Sequence, residues 1–289
     1  MAISLPKRKH SRHWGRYEKG RTEPFELSRG SIDKMVKCEA CWWLEKAMGL
    51  KQPGTPPFAI NSNTDLLLKR DHDRYRGEGP SPIMKAQGLG HLRPYAHPDL
   101  NKWTDSMAFG EPGHFNCLHK ETNILFGGGI DDIFENPATG ELHIVDYKST
   151  SQEGLGKKVR EPLDDTFLWP KDDPMKKEDF KAGYRRQADM YQWILRRMGF
   201  KVSNTAYFLY VDGLALDFGG MLDEEDTDAA WMKFEAKIMT YEGNDSWVED
   251  ALYRAKELVQ QEEMPEHGYW CKKNGFGKYL EDLDTILQR

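Results

Sequence analysis

The stretch LHIVDYKST, residues 142–150, sets two charges directly after an apolar strand. The turn before it, ENPATGE at 135–141, opens on Asn-Pro and contains Gly140, which tolerates positive φ. Strand alternation puts Asp146 and Lys148 on one face and Tyr147 on the other. A charged pair at the end of a buried strand is costly unless it is paired or metal-bound. The fold must therefore supply partners at this point. The preceding segment, FNCLHKETNILFGGGIDDIFE at 115–135, also reads as strand, so the two predict a β-hairpin. Such a hairpin brings Asp131 beside Asp146, with Lys148 alongside. Two close carboxylates repel and need a shared proton or a cation. A hard cation with oxygen ligands, Mg²⁺ or Mn²⁺, answers that need. The plainer alternative is a structural Asp–Lys pair on an exposed edge. The same acid-x-Lys spacing at Asp179–Lys181 and Glu235–Lys237 falls in segments read as loop or helix.

The remaining elements follow from periodicity and stop signals. Apolar residues at 184, 188, 191, 195 and 198 predict a helix over Gly183–Met198, closed by Gly199. Gln187 and Tyr191 lie four apart and share a face of it, with Arg185 and Arg186 adjacent as local positive potential. KVSNTAYFLYVDG, 201–213, reads as a buried strand. Helices are expected at Leu27–Met48, capped by Ser31, and at Asn63–Tyr75, with Leu66, Leu67 and Leu68 as its apolar patch. Two further amphipathic helices are expected at Asp228–Tyr241 and Trp247–Glu263, while 77–113 reads as irregular. The order predicts an α/β chain: a flexible basic arm over 1–25, then a single domain over 26–289 with a core at roughly 60–215.

Composition narrows the function classes. Nine Trp, thirteen Phe and twelve Tyr in 289 residues exclude wholesale disorder. No apolar run approaches membrane-spanning length, and MAISLPKRKH has no signal core, so a cytoplasmic protein without a membrane partner is expected. The net charge of −6 argues against a passive nucleic-acid coat. Its placement is uneven, because residues 1–21 hold seven Lys/Arg and one acid, Glu18. A basic arm on an acidic body is a different object.

GGIDDI (128–133), IVDYKST (144–150) and QADMY (187–191) together resemble the motifs of the PD-(D/E)XK nuclease superfamily. The Gln-x-x-x-Tyr element points to its RecB-like and Cas4-like branch. LSRGSIDKMVKCEACWWL, 27–44, resembles the opening helix of that branch, and the likeness spans most of 27–275. The resemblance implies a restriction-endonuclease-like core, a mixed central β-sheet flanked by helices, with extra N- and C-terminal helices. It implies a Mg²⁺- or Mn²⁺-dependent deoxyribonuclease acting on single-stranded DNA or DNA ends, in recombination, repair or phage and CRISPR-type processing. A helicase or another DNA-processing protein is the implied protein partner. The alternative is a cleavage-inactive nucleic-acid-binding module of the same fold. Asp131 resembles the metal-binding acid of the second motif, with Gly128 three residues before it. Asp146 and Lys148 resemble the acid and lysine of the third, the backbone carbonyl of Tyr147 being a further metal ligand. Gln187 and Tyr191 resemble the DNA-positioning and lysine-supporting pair. Where relatives place a first-motif His, this chain offers Asp65, with Asp73 as its rival on the same helical face. A metal-independent two-carboxylate hydrolase would need neither the lysine nor the Gln/Tyr pair.

The cysteines depart from that pattern. Cys38 and Cys41 form a C-x₂-C, and Cys271 lies in the region where several relatives carry iron–sulfur ligands, but Asn274 follows it where a further Cys would stand. His267 is the available substitute and Cys117 is outside the pattern. Four soft ligands are required for a cluster or a zinc site, so ordinary buried thiols are expected. The GGG at 127–129 lacks the Lys-Ser/Thr of a phosphate loop. It is expected to permit close backbone approach by DNA or by the Gln187 helix.

Overall fold

The computed structural model describes residues 16–54, 59–153, 159–171, 179–215 and 219–288. In chain order the first elements are β1 (Phe25–Ser28), α1 (Arg29–Lys37), α2 (Glu39–Lys46), α3 (Ala59–Asp73), α4 (Pro82–Ala86), β2 (Arg93–Pro94) and α5 (Leu100–Trp103). Next come β3 (Asn116–His119), β4 (Ile124–Gly127), β5 (Asp132–Asn136) and β6 (Glu141–Thr150). A 3-10 turn at Asp165–Leu168 precedes α6 (Ala182–Arg197), β7 (Thr205–Gly213) and β8 (Phe234–Glu242). The last are α7 (Val248–Gln260), α8 (Tyr269–Asn274) and α9 (Phe276–Leu287). The chain is mixed α/β, with mixed sheets flanked by helices. It divides into two compact units, one from Met1–Thr55, Asp105–Gly129 and Ser246–Arg289, the other from Pro56–Thr104 and Ile130–Asp245. No helix among the described residues is long and apolar enough to cross a membrane.

The second unit carries a five-stranded sheet in the order β2-β5-β6-β7-β8. β5 and β6 form the expected hairpin, in register from Asp132 opposite Val145 to Asn136 opposite Glu141, and Gly140 turns at φ 70°. α6 carries the chain over to β7, which lies parallel to β6, as a helical crossover allows. Ala206–Val211 are all buried, so β7 needs a ladder on each side. β8 provides the second one, antiparallel along all nine residues. The helix expected over Asp228–Tyr241 is thus corrected to a strand from Phe234. Leaving a buried strand's N–H and C=O groups unpaired would cost more than the local helical pattern gains. Glu235 and Lys237 therefore lie on a strand as well, and Glu235 pairs with Arg160.

Alternation along β6 gives the sheet two different faces. Val145 and Tyr147 join Phe134, Tyr207, Leu209 and Ile238 in an apolar cluster closed by α4 and Leu68 of α3. Leu66 and Leu67 are exposed, so the expected triple-leucine patch contracts to one residue. Within this face Tyr147 Oη donates to Asp132 Oδ2 at 2.6 Å, and Arg76 reaches both oxygens of Asp132 at 2.8 and 3.1 Å. The His72 ring lies nearly parallel to the Tyr147 ring at 5.8 Å. This buried network fastens the end of α3 to the hairpin.

The first unit holds a three-stranded sheet, β1-β4-β3, in which β1 runs parallel to β4. The single helix expected over Leu27–Met48 is β1 followed by two helices. Ser28 caps α1 by accepting from Ser31 N at 3.2 Å, and Cys38, extended at φ −162° and ψ 101°, separates α1 from α2. Ser31 Oγ instead accepts from Trp42 Nε1. The strand signal of 115–135 is likewise divided, with a turn at Asn123 (φ 54°) between β3 and β4. A Cβ at Gly127 would lie 2.6 Å from Phe115 O, and one at Gly129 2.7 Å from Ser106 N. The close approach at these two glycines is by the chain's own backbone. Residues 1–15 of the basic arm lie outside the described residues. From Tyr17 the chain is anchored, Tyr17 N donating to Lys46 O at 2.7 Å and its ring meeting Phe25 edge-on.

Asp132→Ala would leave Arg76 with the exposed Asp73 carboxylate and the Tyr95 carbonyl, and no buried countercharge. A loss of about 3 kcal/mol is expected, read as a lower urea midpoint at unchanged m. Tyr147→Phe removes the buried hydroxyl that bonds Asp132 and His72 and should cost about 1–3 kcal/mol in the same measurement.

Candidate functional site

The face of β6 opposite Tyr147 carries Asp146 and Lys148, as alternation requires. Asp146 is 1% exposed. Gln187 Nε2, from α6, donates to its Oδ1 at 2.6 Å, and Lys148 Nζ pairs with its Oδ2. Lys148 Nζ also donates to Tyr147 O at 3.2 Å and sits 5.0 Å over the Tyr184 ring. Asp131, one residue before β5, is half-buried and accepts from Tyr147 N at 3.0 Å through Oδ2. Asp131, Asp146, Lys148 and Gln187 are thus brought together. Burial pushes the Asp146 carboxyl up from 3.8 to about 7; Lys148 opposes this and Asp131 adds to it. Two repelling carboxylates beside a backbone carbonyl make an oxygen donor set suited to a hard cation.

Asp65 of α3 is half-buried, and its carboxyl is raised by burial and then by Asp131, with Lys148 opposing. It belongs to this group. Asp73 does not: it is exposed and held by Arg76 at 2.7 and 2.9 Å. Tyr191 is buried on α6, one turn beyond Gln187. Arg185 is engaged by Asp179 and Leu168 O and lies 4.4 Å over the Trp169 ring. Arg186 is half-buried. Tyr184 is the residue that sequence reasoning missed; it stands one turn before Ala188 in the apolar stripe, which assigned it to packing.

A second group lies wholly in the first unit. Cys38, Cys41, His267 and Cys271 gather so that one ligand atom from each falls within 4.8 Å of all the others. These four residues could hold a metal ion. The Cys41 and Cys271 sulfurs are 3.3 Å apart. Crowding splits the thiols: a hydrogen bond from Cys41 draws Cys38 down to about 4, and the same contact pushes Cys41 up. Cys117 stays outside, on β3. The signal for His267 was an H-x₃-C spacing, but nothing in sequence joins it to a C-x₂-C more than two hundred residues earlier.

No family model matches the chain, and comparison with curated proteins and with solved structures gave no significant match.

The raised Asp146 carboxyl sets a pH dependence for the metal-free chain. The unfolded Asp ionises near 3.8 while the folded one holds its proton to about 7. Stability should therefore fall as pH rises between those values and level off above them. Asp146→Asn should flatten that slope in urea midpoints measured across this range with chelator present.

Proposed function

We propose that this chain is a Mg²⁺- or Mn²⁺-dependent deoxyribonuclease of the PD-(D/E)XK superfamily, RecB-like and Cas4-like, with a restriction-endonuclease-like core in its second unit. The observation that carries the reading is the convergence of Asp131, Asp146 and Lys148 on one face of β6, with Gln187 on Asp146. Asp131, Asp146, the Tyr147 carbonyl and Asp65 would hold the cation. When bound, the cation supplies charge neutralisation at the phosphate and a more acidic water. Gln187 fixes the orientation of Asp146 by taking Oδ1. Lys148, now paired with Asp146, is the group to orient the water and to stabilise charge building on the phosphate. Tyr191 is assigned the support of that lysine from α6. Arg185 and Arg186 are the proposed DNA contacts on this helix; Arg185 is oriented there by Asp179 and the Trp169 ring. Single-stranded DNA or DNA ends are the proposed substrates, in a cytoplasmic recombination, repair or phage and CRISPR-type process. A helicase or another DNA-processing protein is the proposed partner.

End-labelled single- and double-stranded DNA, incubated with the full chain and Mg²⁺, Mn²⁺ or chelator, tests this. Cleavage should require the metal. Asp146→Ala and Lys148→Ala should each lower it by roughly 10²-fold or more. Full activity in Asp146→Ala, or cleavage in chelator, would overturn the mechanism. Metal-independent DNA binding without cleavage would favour the inactive binding module.

A further inference from the structure

We infer that Cys38, Cys41, His267 and Cys271 form a mononuclear Zn²⁺ site that fastens the C-terminal helices α8 and α9 to the α1–α2 junction. The inference stands apart from the nuclease reading, since none of the four residues belongs to the carboxylate group.

Ligand spacing selects the metal species. A tetrahedral zinc with Zn–S of about 2.3 Å and Zn–N of about 2.0 Å places sulfur and nitrogen roughly 3.6 Å apart and two sulfurs roughly 3.8 Å apart. Here Nδ1 of His267 lies 3.4 Å from Cys38 Sγ, 3.6 Å from Cys41 Sγ and 3.5 Å from Cys271 Sγ. The Cys41–Cys271 edge, 3.3 Å, is slightly contracted. Four ligand atoms at these separations enclose one ion. An iron–sulfur cluster spreads its ligands over two or four irons, so they must stand around a body several atoms across. Three sulfurs and one imidazole nitrogen also form a soft donor set, unsuited to Mg²⁺.

The surroundings are built for thiolates. Gly268 N donates to Cys38 Sγ at 3.4 Å and Gly277 N donates to Cys271 Sγ at 3.1 Å. Zinc with three thiolates and a neutral imidazole carries one net negative charge, which these N–H groups offset. Both donors are glycines with no room for a side chain. A Cβ at Gly268 would lie 2.7 Å from Lys37 O, and one at Gly277 2.8 Å from the His267 ring.

The packing shows what the ion would do. α8 buries no residue and α9 buries only Gly277. The cluster that these helices join consists of Cys38, Ala40 and Cys41, with Cys271 and Phe276 half-buried against it. So small an apolar contact does not fix two helices, and a structural metal is a common substitute for a missing core. All four positions are filled by protein, which is the mark of a structural zinc rather than a catalytic one. Binding would release the thiol protons and change no oxidation state.

The test is metal analysis of the full chain, purified under reducing and anaerobic conditions. One zinc per chain is expected. Cobalt(II) added to chelator-stripped protein should give the visible bands of a tetrahedral sulfur-rich site. His267→Ala should weaken zinc binding by more than the roughly 10–100-fold that an outer-shell loss costs. Removing zinc from the wild type should speed amide exchange in α8 and α9, a readout that does not depend on a variant folding. Asp146→Ala should keep its zinc, which separates this outcome from the fate of the nuclease reading. Iron with acid-labile sulfide, or failure of the stripped chain to take up zinc or cobalt, would overturn the inference.

Discussion

The ionised form of Asp146 is costly to hold, because it is buried mid-way along the central strand and a second carboxylate, Asp131, lies beside it. Lys148 on the same strand and Gln187 from α6 are the partners the fold provides. Both depend on secondary structure. The lysine reaches Asp146 because residues two apart share a strand face. The glutamine reaches it because α6 is the crossover that returns the chain to β7. Even so, burial keeps the carboxyl raised, so the ionised form is only partly compensated in the metal-free chain. That imbalance, more than any single contact, gives the site its chemical direction.

The other face of the same strand shows how the imbalance is tolerated. Tyr147 points away from Asp146 into the apolar cluster and donates to Asp132, which Arg76 neutralises. Asp131 and Asp132 are sequence neighbours with opposite environments. Asp132 is buried with its oxygens taken up by Arg76, Tyr147 and Ile133 N, whereas Asp131 is half-buried beside an acid. One is a closed structural ion pair and the other retains capacity for a ligand. The stability of the hairpin can thus rest on one face while the other stays electrostatically strained, a division seen where function opposes stability.

What was legible in the sequence follows the range of the interactions involved. The β5–β6 hairpin and α6 were readable because a turn signal and a 3.6-residue period are local. β8 was misread as helix because its pairing is dictated by β7, whose need for a second ladder no local pattern records. The break at Cys38 was hidden inside a stretch that scores as one helix. Asp65 and Asp73 share a helical face and were indistinguishable until the fold put one near Asp131 and gave the other to Arg76. The soft-ligand group was the least legible. Its two halves are 226 residues apart between Cys41 and His267, and the position that a fourth cysteine was expected to fill is Asn274.

Two donor sets of opposite character in one chain raise a question of metal selectivity, and their chemistry answers it. The Asp131–Asp146–Asp65 group offers oxygen alone, and its charge favours a hard divalent ion that keeps part of its water shell. The Cys38–Cys41–His267–Cys271 group offers three sulfurs and one nitrogen, all within 4.8 Å of one another. Zinc would bind the oxygen group too, by affinity order, if it were abundant. A closed thiolate site in the same chain would bind zinc far more strongly, so scarce zinc would be drawn to the position where it is structural. The oxygen group is then left to the ion that is plentiful. On this argument the net charge of −6 misleads as a guide to partners, because several of the acids counted in it stand where a divalent cation would offset them.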